Sequence, residues 1–497
     1  SPSSPKRLTY CCGASASTST GNRLPEAGTS AMSASRVTPA YEPMVGGDPG
    51  ASAKASGRCP GETRRCWAMI GAAVVVVLLL ASIGGQKLVV NKLTETAIKQ
   101  FVTLSASQDE GCNENYAWND LAEKVWWPGC YNNFTYGSTC GEPCFGPEFI
   151  KEIIDFNQEQ DPGHIVEYKN LPGKGHGDLP GVETVTLRGW LLPAAKPSEG
   201  VRPRVVVQHG FTENSNKYRQ VVLATMLRQL GFDVLVNNLR DHCYSDDSKA
   251  NIIQWGHAYP NDLLGAWEYL KKDPDGHLGG EVDAGQVGII GVSMGALTAV
   301  NAFGMGAEVP AAWVDSPPSK PKFVFKQGMK TELEKIIGSF FAGILAAGHM
   351  TNRFMVDPVW KNVEDFALAK GIDLNEHTPA SALPTGPDTK RPFTLVGNLQ
   401  DTTVPWSETV ASKDIAEMYP EKYKLQVWQS DSTCKLQIDI DAGKSATDHC
   451  VDHISHFAEY KAKLCLFWYE VFGLSAHLCA KHFPDVEHPE MKDFFSN

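Results

Sequence analysis

The chain has 497 residues, of which 42% are hydrophobic and 21% charged, a composition that excludes collagen, a wholly disordered chain and a transporter with many membrane spans. Its 57 acidic residues against 45 basic ones give a net charge of −12, which disfavours general binding to nucleic acid. Its 13 cysteines are too few for a fold that depends on disulfides, and their spacing does not indicate a zinc ribbon.

Residues 1–65 are predicted to form a disordered tail, because few large apolar side chains are present to compensate for the entropy of ordering. The orientation argued below places this tail in the cytosol. Residues 66–86 contain no charged side chain and are long enough to cross about 30 Å of hydrocarbon. We therefore expect a transmembrane signal-anchor helix there. A buried core helix and a cleaved signal peptide are the alternatives, but the former usually has a polar face and the latter a shorter apolar region.

The orientation of this span is only weakly decided by basic residues, which flank both of its ends. The segment that follows, residues 87–180, contains a glycosylation sequon at Asn133. It also contains four cysteines, which allow three pairings: Cys112, Cys130, Cys140 and Cys144. These features favour an oxidising compartment. We expect a single-pass type II membrane protein whose large carboxyl-terminal part is lumenal or extracellular, at an endomembrane or the plasma membrane. Because the cysteines after the span are odd in number, at least one should be free or paired to another chain.

From about residue 180, short β-rich runs alternate with helical stretches, which predicts a mostly parallel central sheet with helices on both faces. We assign this α/β domain to residues 181–475 and a carboxyl-terminal tail to 476–497. The predicted strands are 201–208, 232–238, 287–290, 311–314, 393–396 and 424–428, and the predicted helices among them are 217–230 and 260–271.

The main chemical signal is Gly291-Val292-Ser293-Met294-Gly295, which directly follows a predicted strand and precedes a predicted helix. In a nucleophile elbow the serine occupies a strained turn, and glycines two residues to either side let strand and helix approach closely. The string alone would also suit an ordinary turn serine. Its position between strand and helix indicates that Ser293 is a nucleophile.

A serine nucleophile needs a base, which is itself oriented by an acid. Asp401 follows a late predicted strand and is the preferred acid, although a surface turn would also favour aspartate; Asp315, one strand earlier, is the second candidate. His449 is the preferred base. Two later histidines, His453 and His456, fall inside a helical run, where packing or exposure at the surface is the expected role.

Five motifs in chain order resemble those of the α/β hydrolases, and among them the branch of serine-aminopeptidase-like and dienelactone-hydrolase-related esterases. The motifs are GlnHisGlyPheThr (208–212), LeuArgAspHisCysTyrSer (239–245), GlyValSerMetGly (291–295), GlyAsnLeuGlnAspThrThrValPro (397–405) and AspHisCys (448–450). The resemblance implies an α/β-hydrolase fold and a triad of Ser293, Asp401 and His449. It also implies an oxyanion hole made by the backbone N–H groups of Phe211 and Met294. The implied reaction is hydrolysis of an ester, thioester or amide through an acyl-enzyme, with no cofactor and no metal.

This chain departs from the family pattern in two places. Cys243 stands where a glycine is usual, and the approach to His449 is unusually long, with a Cys434–Cys450 disulfide as one way to brace it. Residues 317–392 interrupt the sheet at the usual position of a lid. Apolar side chains recur there at helical spacing and would either line an acyl cleft or pack the lid onto the core: Ile336, Ile337, Phe340, Phe341, Ile344 and Leu345.

The partners expected from these patterns are a small-molecule or lipid-derived acyl substrate and a membrane, contacted through one amino-terminal helix, but no nucleic acid. Two other functions fit the same chain. One is a non-catalytic binding or adhesion ectodomain, because fold does not imply function. The other is an acyltransferase that uses the same triad with an alcohol acceptor.

Overall fold

In the part of the chain that the structure describes, eight short strands form one mixed sheet. The structure, a computed structural model, describes residues 83–105, 109, 112, 164–171, 183–194, 202–337, 356–431, 449–450 and 452–481. The strands are β1 (His164–Lys169), β2 (Thr186–Leu192), β3 (Arg204–Gln208), β4 (Asp233–Asn237), β5 (Val287–Val292), β6 (Ala312–Asp315), β7 (Arg391–Asn398) and β8 (Tyr423–Ser430). Their order is β1-β2-β4-β3-β5-β6-β7-β8, in which β1 and β2 run antiparallel to their neighbours and the other strands pair in parallel.

Helices connect the strands and cover both faces of the sheet. They are α1 (Ile83–Phe101), α2 (Tyr218–Gln229), α3 (Tyr259–Lys272), α4 (Met294–Met305), α5 (Pro321–Ile337), α6 (Asp357–Ala369), α7 (Pro379–Ala382), α8 (Trp406–Glu417), α9 (Asp452–Ser455), α10 (Phe457–Val471) and α11 (Ala476–Lys481), with 3₁₀ turns at Ala284–Gln286 and Leu383–Thr385.

The central strands are buried on both sides because helices cover both faces of the sheet. Successive side chains of a strand point to opposite faces, so neighbouring residues pack against different helices. Val205 and Val207 of β3 pack with α2 and α10, whereas Val206 packs with α3 and α4. The predicted parallel sheet with helices on both faces is therefore confirmed, and each predicted strand and helix from residue 201 onward overlaps an observed one.

A third apolar cluster lies beyond the carboxyl ends of the strands. It joins α1 to α5 and α6, which belong to the segment that interrupts the sheet after β6. Leu93 and Ala97 of α1 and Val359 and Val363 of α6 are buried in it. The cluster also includes Met294, so it reaches the turn at Ser293.

The sheet extends beyond the predicted boundaries of the α/β domain. Strand β1 lies before the predicted start at 181, but it belongs to the sheet because it pairs with β2. At the other end, helix α11 lies beyond the predicted end of the domain at 475. Among the residues that the structure describes, no helix is long and apolar enough to cross a membrane. Residues 1–82 are outside that part, and so are Asn133 and residues 338–355 of the predicted lid.

The cysteine pairing differs from the expectation of bridges within the 112–144 group. Cys112 is bonded to Cys243, 131 residues later, and Cys465 is bonded to Cys479. Cys450 is a buried free thiol, so the suggested Cys434–Cys450 bridge is wrong. Its sulfur lies against the ring of His449 instead.

Candidate active site

Ser293 lies in a sharp turn between β5 and α4. Its φ of 57° and ψ of −121° are strained for a residue with a side chain. The flanking glycines allow this turn: a Cβ at Gly291 would overlap the Gly295 carbonyl, and a Cβ at Gly295 would overlap the backbone of β3 and His209. The Ser293 N–H donates to the Asp315 carbonyl at 2.9 Å, which ties the turn to the end of β6. The serine side chain is thus held at the carboxyl edge of the sheet.

Three predicted side chains converge at this edge from the ends of different elements. The Ser293 Oγ lies 2.7 Å from the Nε2 of His449, and the Nδ1 of His449 lies 2.6 Å from the Oδ2 of Asp401. The Asp401 side chain is completely buried, and its Oδ1 accepts hydrogen bonds from the N–H groups of Thr403 and Val404 at 2.8 and 2.9 Å. Because the carboxylate is fixed, it can hold the imidazole with Nε2 facing the hydroxyl.

The loop after β3 lies on the other side of Ser293. A Cβ at Gly210 would come within 3.2 Å of the Ser293 Cβ, so the two backbones are adjacent. In the described part of the chain, no hydrogen-bond acceptor is found for the N–H of Phe211 or of Met294. Both predicted oxyanion donors therefore remain available to a ligand.

Glu213 holds this loop, a role that sequence reasoning missed. Its Oε2 accepts a hydrogen bond from the Gly210 N–H at 3.1 Å, and its Oε1 accepts one from the Arg219 guanidinium at 2.8 Å. Burial acts to raise the pKa of the Glu213 carboxyl, but Arg219 and the hydrogen bonds outweigh it and lower that pKa below its ordinary value. The only available signal in the sequence was an acidic residue directly after GlnHisGlyPheThr.

Two buried histidines support the loops around the site in their neutral form. The Nδ1–H of His209 donates to the Gly210 carbonyl at 2.9 Å, and its Nε2 accepts the N–H of Leu239. Burial lowers the pKa of His209 to about 4 and that of His242 to about 3. Their rings lie 5.0 Å apart. Because neither ring is charged near neutral pH, they act as fixed hydrogen-bonding groups.

In the described part of the chain, the side chains of the alternative acid and bases make other contacts. Asp315 is buried at the end of β6, where its Oδ1 accepts a hydrogen bond from the Ser316 hydroxyl; burial raises its pKa to about 6. His453 is fully buried in α9, and His456 lies at the amino-terminal cap of α10, 3.7 Å from Asp452. The structure therefore brings His449 and Asp401 to Ser293, while neither later histidine reaches the serine hydroxyl.

Two cysteines of the sequence motifs, Cys243 and Cys450, lie in the loops after β4 and β8. Cys243 has a φ of 52°, the left-handed conformation that a glycine would adopt, and it is bonded to Cys112. The loop thus keeps its glycine-like backbone despite the substitution. The Cys450 sulfur lies 3.4 Å from the Nε2 of His449, and burial raises the pKa of its thiol well above the ordinary value. The thiol therefore packs against the imidazole as a neutral group.

Comparison with known proteins gives a family match over part of the chain. A family model for the alpha/beta hydrolase fold matches residues 203–335. The chain is similar to the esterase Pf2001 of Pyrococcus furiosus, at 20% identity over 62% of this chain and 91% of that one, with a TM-score of 0.41. It is also similar to a puromycin-hydrolyzing peptidase of Mycobacterium tuberculosis, at 16% identity over 63% of this chain and 40% of that one, with a TM-score of 0.39. No curated protein matches the chain.

The matched range contains the elements that build the turn at Ser293. It runs from the start of β3 through β4, β5 and α4 to β6 and most of α5. The narrower resemblance to serine-aminopeptidase-like and dienelactone-hydrolase-related esterases stays a prediction. The match to residues 203–335 and the observed sheet show the α/β-hydrolase fold in this part of the chain.

Proposed function

We propose that this protein is a serine hydrolase that cleaves a carboxylic ester, thioester or amide through an acyl-enzyme. The observation that supports this most is the chain of two short contacts, 2.7 Å from Ser293 Oγ to His449 Nε2 and 2.6 Å from His449 Nδ1 to Asp401 Oδ2. Nucleophile, base and orienting acid need this geometry, and a binding module does not.

In the acylation step, the Ser293 Oγ attacks the carbonyl carbon of the substrate while its proton passes to His449 Nε2. The carbonyl oxygen becomes an anion that faces the N–H groups of Phe211 and Met294. The bond to the leaving group then breaks as His449 returns the proton to it. Donors of this kind act on charge that develops only in the transition state, so each is typically worth about 10²- to 10³-fold in rate.

In the deacylation step, water takes the place of the leaving group. His449 accepts a proton from water as the oxygen attacks the acyl carbon, and the proton then passes to Ser293 Oγ as the carboxylic acid is released. The Asp401 carboxylate stabilises the imidazolium that forms in each step. Apart from the substrate and water, these steps use only side chains and backbone groups of this chain.

The proposal includes attachment to a membrane. Residues 66–86 would form a single anchor helix of type II orientation, with the hydrolase domain lumenal or extracellular and Asn133 glycosylated. The uncharged run in the sequence supports the anchor. The disulfides Cys112–Cys243 and Cys465–Cys479 support an oxidising compartment, where such bonds persist.

A fluorophosphonate probe tests the nucleophile, because it phosphonylates an activated serine hydroxyl with loss of fluoride. The full chain is compared with Ser293→Ala and with Ser475→Ala, which changes an exposed serine after α10. We expect the wild type and Ser475→Ala to be labelled equally and Ser293→Ala not at all. Equal labelling of Ser293→Ala, or no labelling of the wild type, would overturn the proposal.

Product analysis separates hydrolysis from acyl transfer. The full chain is incubated with an activated ester in the presence and absence of a simple alcohol acceptor. We expect the free carboxylic acid as the main product in both cases. A new ester as the main product would identify an acyltransferase and contradict hydrolysis.

A further inference from the structure

Helix α1 and the residues after it form an arm, residues 83–105, that packs onto the hydrolase domain although it lies outside the range matched by the family. Its buried side chains belong to the apolar cluster of α5 and α6, with Leu93, Ala97 and Val102 each only 1% exposed. Removing these apolar side chains from water stabilises the packing of the arm. The arm is therefore part of the folded domain.

Three hydrogen bonds fix the position of the arm. The Ile253 N–H donates to the Val102 carbonyl at 2.8 Å, and the Trp255 Nε1–H donates to the Phe101 carbonyl at 3.1 Å. On α6, the Asn362 side-chain amide donates to the Thr94 hydroxyl at 3.0 Å. The arm thus contacts both the loop before α3 and the segment that interrupts the sheet.

The end of the arm brings an aromatic ring next to the predicted oxyanion loop. The rings of Phe101 and Phe211 stack with centroids 6.1 Å apart, and Phe211 stacks on Trp255 at 5.1 Å. On its other side, Phe101 meets the edge of Phe325 at 5.4 Å and lies over Gly328, where a Cβ would overlap the ring. Phe101 is thereby wedged between α5 and the loop that carries Phe211.

The surface formed by these rings is apolar. Phe101 and Phe211 are half-buried, whereas Phe325 and Trp255 are almost completely buried behind them. The Trp255 N–H already donates to the Phe101 carbonyl, so the rings present carbon rather than hydrogen-bonding groups. Met294, the residue after the serine, is buried in the same cluster. An apolar wall therefore adjoins the site of the proposed reaction.

We infer that Phe101 is a specificity-determining residue, contributed by the amino-terminal arm to the wall that accommodates the apolar acyl group of the substrate. This inference rests on the proposed function, because it names the substrate part that meets the wall. In hydrophobic pockets one methylene changes discrimination by about 10- to 200-fold. A change in the volume of this ring should therefore alter acyl-chain preference rather than catalysis alone.

The test uses the full chain and p-nitrophenyl esters from acetyl to palmitoyl. For Phe101→Ala we expect kcat/KM for the longest acyl chains to rise relative to acetyl by about tenfold or more, because the wall recedes. Phe101→Leu should change the ratio in the same direction but less. The matched control is Phe366→Ala, which removes a half-buried ring from the same cluster, where the ring contacts Lys370 instead of Phe211.

The outcomes separate this inference from the proposed function. A changed ratio in both Phe101 variants but not in Phe366→Ala supports the wall. This inference alone is overturned if the wild type is active and Phe101→Leu has the same ratio of kcat/KM values as the wild type. Thermal unfolding must show that the variant is folded. A folded wild type that hydrolyses none of the esters and takes up no fluorophosphonate overturns both.

Discussion

At the scale of single residues, Glu213 forms an ion pair with Arg219 and a hydrogen bond to the loop that carries Phe211. It accepts a hydrogen bond from the Gly210 N–H, one residue before the predicted oxyanion donor. Gln220 also donates to the same carboxylate oxygen at 2.9 Å. Because Glu213 touches neither the serine hydroxyl nor the imidazole, it is a positioning residue. Its effect on the proposed reaction would pass through the orientation of the Phe211 N–H.

For Glu213→Ala we expect kcat to fall by about 10- to 100-fold with little change in KM, because an oxyanion donor acts mainly in the transition state. Glu213→Gln keeps an acceptor for the Gly210 N–H and should recover part of that loss. Steady-state kinetics with one ester measures both variants. Glu268→Gln is the control, since Glu268 pairs with Lys272 on the surface of α3. A rise in KM at constant kcat would instead place Glu213 in substrate binding.

At the scale of elements, the contact between the first turn of α4 and the end of β3 sets the position of Ser293. Gly295 allows this contact, because a side chain there would overlap the carbonyl oxygens of Gln208 and His209. Those atoms belong to backbone and cannot move aside as a flexible side chain would. The helix must therefore shift if residue 295 gains a Cβ.

We expect Gly295→Ala to lower the free energy of unfolding by about 1–3 kcal/mol, the usual cost of overpacking, and to slow fluorophosphonate labelling of Ser293. Gly285→Ala is the control. That glycine lies in the 3₁₀ turn before β5, and no atom lies within 4 Å of an added Cβ. Denaturant unfolding of both variants gives the comparison. Equal stability of Gly295→Ala and wild type would show that the elbow tolerates a side chain.

The strands from β3 onward were predictable because each contains a short apolar run bounded by turn residues. The elbow was predictable for a related reason, since its glycines are required by local geometry at the serine. The arm was not, because its helical spacing of Val90, Leu93 and Ala97 indicates a buried face but not the surface that covers it. Likewise, the partner of Cys112 depends on the tertiary path of the chain, and the sequence offered Cys243 only as a departure from glycine.

At the scale of the whole molecule, the described part of the chain contains two disulfides of very different span, which constrain the unfolded chain. Cys112–Cys243 separates its cysteines by 131 residues and Cys465–Cys479 by 14. Loop entropy predicts that the longer bond stabilises the fold by about 5 kcal/mol and the shorter by about 3 kcal/mol. The longer bond also connects the chain beyond the arm to the loop after β4.

We therefore expect Cys112→Ala/Cys243→Ala to lower the midpoint of denaturant unfolding more than Cys465→Ala/Cys479→Ala does. The measurement is made on the full chain without reductant, with each double variant against wild type. The four-fold variant should show roughly the sum of the two losses, because the bonds lie in different elements. A larger loss from the shorter bond would mean that native packing, rather than chain entropy, decides their contributions.

The arm has a consequence for how the protein matures during synthesis. Phe101 leaves the ribosome well before Trp255, which follows 154 residues later, and at about 5–20 residues per second that interval lasts roughly 8–30 s. His449 is translated still later, 156 residues after Ser293. The nascent chain thus exposes Phe101 before its partner Trp255, and Ser293 before His449. On the proposed function, hydrolysis can begin only after His449 has been translated and has folded against Ser293.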